Sequence, residues 1–442
     1  MITHQDLEAA LPQLTGTVRL NGLDGPVEVY RDGFGVPHVR ASGELDAFFA
    51  QGFVTAQDRL WQMEYDRRRG AGRWAEAVGA VALEQDKTMR RFRLEASARA
   101  DYQAVDGHTR GMLDAYAAGV NAFIENTESL PIEYRITGLG PEPWQPWDGL
   151  VVYKVRHILM GVFESKLWRA RLVGKLGPER AAKLFPGCPP GQLLILPPGA
   201  VYAGPLADGL AELSRGAAAL GYLNDTEGGS NSWVIAGSRT ASGKPLLAGD
   251  SHRALDTPDV YYQNHLACPE FDVTGLSFPG VPGFPHFGHN RWVAWCVTHT
   301  AADYQDLYIE RFKAEDPQYY LYQGQWRRAE VHREKIKVKG SGDFDLDVWV
   351  THHGPLISGN PQQGVGLAFK YTATEGPSDW PDILWRMLRA GNAGELVESM
   401  RGWVDPCNNF LFADVHGETG YQCRGRVPVR SLANAWLPVP GW

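Results

Sequence analysis

The apolar residues of this chain change their period at Gly228-Gly229-Ser230, and nothing else in the sequence constrains the fold as strongly. Before that point, Phe49, Phe53, Ala56, Leu60 and Met63 recur at three- and four-residue steps, as do Met112, Tyr116, Val120 and Phe123. This spacing gives a helix one apolar face. Helices are expected over 44–78, 95–125 and 148–176, the last interrupted at Gly161. Two short strands around a glycine turn are expected over 26–40. After Ser230, apolar runs at 233–236, 292–298, 335–338, 344–351 and 410–413 alternate with Gly, Pro and Asp turns. That is the pattern of an antiparallel sheet. Helical spacing returns over 380–389 and 393–403. The chain thus reads as a helical part (1–199), a spacer enclosing one weak helix (200–229) and a strand-rich part (230–442).

Ser230 sits on that boundary, where two glycines end and Trp233-Val234-Ile235 begins. Gly-Gly-Ser before a strand is commonly only a flexible turn. If the Gly229–Ser230 bond is cut, however, one residue carries both a hydroxyl nucleophile and a free α-amine. An α-amine titrates at about 7.7–8.0, so part of it is neutral near pH 7 and accepts a proton. Ser230 then holds a nucleophile and its own base. Gly229 has no Cβ to obstruct attack on its carbonyl.

Composition narrows the alternatives. With 442 residues, 44% hydrophobic and 21% charged, the chain is an ordinary globular protein large enough for two lobes. A net charge of −8 argues against nucleic acid and against an anionic membrane surface. The run Arg67-Arg68-Arg69 reads as a solvated helix end. No stretch approaches the roughly 18 apolar residues of a membrane span. No signal peptide is evident, so the chain as written is expected in the cytoplasm, or in the periplasm if a leader was removed. Five scattered cysteines suggest neither a zinc site nor a disulfide framework. His286/His289 and His352-His353 have no third ligand at suitable spacing and are read as structural. A Ser-His-Asp hydrolase is disfavoured because no GxSxG elbow is present.

Several segments, in order, carry a resemblance. They are Tyr30-Arg31-Asp32-Gly33-Phe34-Gly35-Val36-Pro37-His38-Val39, Gln57-Asp58-Arg59-Leu60-Trp61-Gln62-Met63-Glu64, Gly229-Ser230-Asn231-Ser232-Trp233-Val234, His286-Phe287-Gly288-His289-Asn290 and Asn409-Phe410-Leu411-Phe412-Ala413-Asp414. From about residue 25 onward the chain resembles the penicillin acylase family of N-terminal-nucleophile amidohydrolases. The resemblance implies an α+β fold, an αββα sandwich of two sheets covered by helices. It implies a precursor that cuts itself at Ser230, loses a spacer and becomes an α/β heterodimer. Its substrates would be small N-acyl amides, either β-lactam side-chain amides or N-acyl-homoserine lactones, with no organic cofactor.

Site residues follow from the same resemblance. His252 would hydrogen-bond the α-amine or hydroxyl of Ser230, and it favours aliphatic-acyl over strictly phenylacetyl substrates. The backbone N–H of His299 and the side-chain amide of Asn409 would stabilise the oxyanion, each donor contributing about 3–4 kcal/mol. Asn409 is preferred to its neighbour Asn408 because it directly precedes the apolar strand. Arg430 would help to organise that site. Asp303 and Asp306 flank Gln305, and two carboxylates with a carbonyl suit a hard cation. With Glu164 they resemble a structural calcium site joining the two parts. In the family a further stretch follows the motif that ends here at Trp442; without it, open strand edges are expected. The competing expectation is an unprocessed, catalytically inactive fragment or pseudoenzyme acting by binding.

Overall fold

The computed structural model describes residues 2–184, 205–219, 228–430 and 436–442. The spacer call at 200–229 therefore lies partly outside the described residues, as do Cys188 and the residues just before Gly228.

Helices dominate the part before Ser230. They are α1 (His4–Ala9), α2 (Glu44–Gly70), α3 (Ala75–Val78), α4 (Leu83–Phe92), α5 (Leu94–Ala104), α6 (Gly107–Asn126), α7 (Ile132–Thr137), α8 (Asp148–His157), α9 (Phe163–Leu176), α10 (Pro178–Ala182) and α11 (Pro205–Ala219). The helix expected over 95–125 is two helices. Asp106 stops the first and caps the second, its carboxylate accepting from the Thr109 N–H. The weak spacer helix is real as α11, and it buries Leu206, Leu210 and Leu213 at helical spacing. Two more helices, α12 (Ile383–Leu388) and α13 (Ala393–Ser399), lie late in the chain.

Strands β1 (Glu28–Arg31) and β2 (Pro37–Arg40) precede Ser230, and β3 (Gly229–Ile235) contains it. There follow β4 (Leu246–His252), β5 (Tyr262–Ala267), β6 (Asp272–Ser277), β7 (Phe287–Asn290), β8 (Val293–His299) and β9 (Gln305–Lys313). Next come β10 (Asp316–Tyr322), β11 (Gln325–Arg328), β12 (Glu330–Ile336), β13 (Phe344–Thr351), β14 (Gly354–Asn360) and β15 (Val365–Tyr371). The last are β16 (Asn408–Asp414), β17 (Thr419–Arg424) and β18 (Val439–Pro440).

One sheet runs β1-β2-β5-β6-β7-β8-β16-β17, and a second runs β11-β10-β9-β15-β14-β13-β12 with β18 beside β9. Strands β3 and β4 form a separate two-stranded ribbon. The class is α+β. Alternation along β8 sets the layering, because successive strand residues point to opposite faces. Trp295 and Val297 join the core shared with α2, α6, α8 and α12. Cys296 instead meets the ribbon, where a Cβ added to Gly249 would lie 2.5 Å from its Cβ. Helices therefore cover one face of the first sheet and the ribbon covers the other.

Packing explains the close α2–α6 crossing. A Cβ at Gly52 would stand 2.1 Å from the Tyr116 carbonyl oxygen, and one at Gly119 would stand 1.8 Å from that of Phe49. Only glycine permits the backbones to approach so near. The second core joins α4, α9 and α11 to β9, β14 and β15. Each Leu, Val or Phe fully buried there contributes about 1.5–3 kcal/mol. Arg67, Arg68 and Arg69 correct the sequence reading: all three are buried. Arg68 is compensated by Glu64 at 2.6 Å, Glu76 at 2.7 Å and Glu142 at 2.8 Å. A buried guanidinium requires such pairing. Among the described residues no helix is long and apolar enough to cross a membrane.

The parts before and after Ser230 share both cores. β2 pairs in parallel with β5 (His38 opposite His265). Gln51 donates to Asn264 at 3.1 Å, and Trp380 donates to Asp101 at 3.0 Å.

Candidate active site

Ser230 is the second residue of β3 and pairs with Ser251 of β4, while Gly229 pairs with His252. Directly paired residues of an antiparallel ladder project to the same face. Ser230, Ser232, Gly249 and Ser251 therefore face the first sheet, whereas Asn231, Asp250 and His252 face outward. Ser230 lines a cavity of about 400 Å³ at the end of β8 and β16. Its other walls include Ser251, Arg253, Tyr261, Arg156, His157, His286, His299 and Asn408.

The cavity holds neutral imidazoles. Burial pushes His157 well below the ordinary histidine range, helped by the facing His286 and the Arg253 charge. Burial likewise lowers His286 to about 3, again with help from Arg253. The two rings face each other with Nε2 atoms 3.3 Å apart. His299 is also lowered by burial, and its Nε2 lies 2.8 Å from the Met160 carbonyl oxygen. One ring nitrogen on each of these three histidines, Nδ1, is buried without a partner. Such orphan groups cost about 1–3 kcal/mol each, a cost commonly borne where a ligand completes the set.

The structure brings together some expected site residues and separates others. Ser230 and His299 share the cavity. His252 does not line it. Its ring stands beside Gly229, 3.2 Å from where a Cβ on that glycine would sit, and its Nε2 meets Asp250 and Asn231, each at 3.2 Å. Asn409, preferred on its place before the strand, does not line the cavity; it pairs with Thr298 on the face of the sheet that the ribbon covers. Its amide donates to Thr298 Oγ1 at 3.0 Å, and its carbonyl accepts from Tyr421 at 2.6 Å. Asn408 is the one of the pair that reaches the cavity, because adjacent strand residues alternate.

Arg430 is elsewhere too. It contacts both carboxylates of the expected calcium site, lying 3.1 Å from Asp306 and also pairing with Asp303, whose carbonyl oxygen it reaches at 2.9 Å. The ammonium of Lys166, fully buried, lies 2.9 Å from Asp303 and 2.7 Å from Asp306. It also donates to the Gln305 carbonyl oxygen at 2.7 Å. Asp306 is held by an aligned hydrogen bond. Asp303 is held by charge contact alone, since neither of its oxygens has an aligned donor. Burial raises Glu164 to about 7, and one of its oxygens has no partner. Among the described residues no three His, Cys, Asp or Glu side chains are arranged to hold a metal ion. As placed, Glu164, Asp303 and Asp306 do not fit calcium, because two protein cations already occupy the carboxylates.

Sequence reasoning missed Arg253, His157, Arg156 and Tyr261, and it read His286 as structural. Arg253 follows the last residue of β4, beyond the reach of strand parity, and only the fold brings it to the cavity. His157 and Arg156 end a helix remote in sequence, and only the fold brings them near.

Comparison with known proteins identifies the family. The penicillin amidase family profile matches residues 26–442. A penicillin acylase 2 proenzyme of Pseudomonas sp. (strain SE83) is 45% identical over 99% of this chain and 57% of its own length. The acyl-homoserine lactone acylase QuiP of Pseudomonas syringae pv. tomato is 32% identical over 99% of this chain and 54% of its own. A solved penicillin G acylase from Alcaligenes faecalis matches 48% of this chain and 38% of its own at 25% identity, with a TM-score of 0.41. The chain spans little more than half the length of the curated relatives it matches. It belongs to the penicillin amidase family.

Proposed function

We propose that this chain carries the nucleophile of a self-processing amidohydrolase whose substrates are N-acyl amides. The observation that carries the reading is Ser230, which opens a strand behind Gly229 and lines a cavity with neutral imidazoles. In processing, Ser230 Oγ attacks the Gly229 carbonyl carbon, and the peptide bond is exchanged for an ester. Water hydrolyses the ester, leaving Gly229 as a carboxylate and Ser230 with a free α-amine. In turnover that amine takes the hydroxyl proton as Oγ attacks the substrate amide. The proton passes to the departing amine, and water then releases the acid from the acyl-enzyme.

We assign His252, whose ring stands near Gly229, to orienting the new α-amine rather than the hydroxyl. The oxyanion donors are proposed at the cavity end of β8 and β16, from the His299 main chain and the Asn408-Asn409 pair. Relatives named for penicillin and for acyl-homoserine lactones support a small acyl amide as substrate, and one of them is named a proenzyme; the two products of the cut would act together as a heterodimer. Denaturing gels and intact mass test this directly. Two fragments are expected, the second beginning Ser-Asn-Ser-Trp, with turnover of a chromogenic acyl amide. A persistent full-length chain without turnover would refute it.

A further inference from the structure

We infer that Lys166 is a built-in cation: its ammonium supplies, at the junction of α9 and β9, the charge that a bound divalent ion would otherwise supply. The union of the segments on either side of Ser230 is then independent of metal. Two observations carry this. The ammonium is completely buried; it donates to the Asp306 carboxylate and to the Gln305 carbonyl oxygen, each at 2.7 Å, and lies 2.9 Å from the Asp303 carboxylate in charge contact. These are the oxygens that a hard cation would need. Arg430 contacts the same two carboxylates, meeting at Asp306 the oxygen that Lys166 also holds. Two negative charges thus meet two positive ones, and a divalent ion entering beside them would leave a buried excess of positive charge.

Lys166 lies before the proposed cut, and Asp303, Asp306 and Arg430 lie after it, so the cluster spans the two segments whether or not the cut occurs. Removing the ammonium leaves two carboxylates facing one guanidinium, with space where a cation fits. The test uses the full-length protein and calcium itself. Thermal unfolding of the wild type is expected to be the same in EDTA and in millimolar CaCl2, and calorimetric titration with Ca²⁺ is expected to show no binding that Asp306→Asn removes. Lys166→Ala should lower Tm by several degrees in EDTA and regain part of that loss in CaCl2. Lys166→Met, which fills the space without charge, should lose stability without the calcium rescue. The inference is overturned if EDTA destabilises the wild type, if Ca²⁺ binds it in an Asp306-dependent manner, or if Lys166→Met leaves Tm unchanged. The wild-type arms decide the matter even where a Lys166 variant fails to fold.

Discussion

Two polar clusters, the cavity at Ser230 and the junction at Lys166, are buried to a similar degree but completed to different extents. At the junction two acids meet two bases. In the cavity three histidines keep an unpartnered ring nitrogen. Among the described residues, Arg253 has no carboxylate within ion-pair distance there. A completed buried network holds parts together, and breaking one partner typically costs about 3–5 kcal/mol. An incomplete one is a cost to folding that a substrate repays by supplying the missing partners. The difference separates structural charge from chemical charge without reference to residue type, since both clusters contain arginine.

The strongest way to break this comparison is Ser230→Ala. Removal of the hydroxyl is expected to abolish both cleavage and hydrolysis, with Tm changed little because a half-exposed Ser-to-Ala change leaves no cavity. Hydrolysis retained by the variant would refute the nucleophile. Next in size is the carboxyl of Asp405, completely buried beside the cavity wall and raised by that burial to about 7. Its folded-state pKa lies above the unfolded value, so folding favours the protonated form. Its stabilising share is full below about pH 4 and is lost as pH rises to 7. At ~1.4 kcal/mol per pH unit over roughly three units, the loss is about 4 kcal/mol. Asp405→Asn, neutral at every pH, should remove that slope. Urea unfolding of both proteins at pH 4.5, 6 and 7.5 measures it; parallel pH profiles would show that Asp405 ionises freely in the folded protein.

From the junction side, Asp306→Asn should cost about 3 kcal/mol, because it leaves Lys166 and Arg430 facing a single carboxylate. Hydrolysis below the lowered Tm should persist. A loss of turnover without loss of Tm would show that the junction serves the chemistry. The paired asparagines then sharpen the cavity itself. Asn408→Ala is expected to reduce kcat roughly a hundredfold as a missing oxyanion donor. Asn409→Ala should act mainly through the lost Thr298 and Tyr421 hydrogen bonds, lowering Tm with a smaller effect on kcat. The reverse order would return the donor role to Asn409.

Much of this was legible in the sequence, and what was not has a physical cause. The period change at Ser230 announced both the helical part and the strands, and Gly161 marked the break between α8 and α9. The split at Asp106 was missed because the apolar stripe continues across it, and only the cap reveals the interruption. Side-chain direction was the second blind spot. A linear motif such as Gly249-Asp250-Ser251-His252 names residues without their faces, and the ladder register assigns Ser251 to the cavity and His252 to the outside. Charge pairing was the third: Asp303 and Asp306 resemble ligands until Lys166, 140 positions before Asp306, is seen between them.

His252 is the residue at which the comparison is most finely balanced. It belongs to neither cluster, with its side chain 42% exposed on the outward face of the ribbon, yet its ring stands beside the glycine whose carbonyl must be attacked. A base acting on the Ser230 hydroxyl would need to share its face, and loss of such a base typically costs 10²–10⁴ in rate. A group that only orients the α-amine contributes less, because the amine remains chemically competent without it. His252→Gln retains a hydrogen-bonding side chain of similar reach. It is expected to leave the Gly229–Ser230 cut intact and to lower kcat by about tenfold, or ~1.4 kcal/mol, with KM little changed, whereas His252→Ala should lose more. A thousandfold fall in His252→Gln would instead make the imidazole the working base, and the face assigned to it by the ladder would have to change on cleavage.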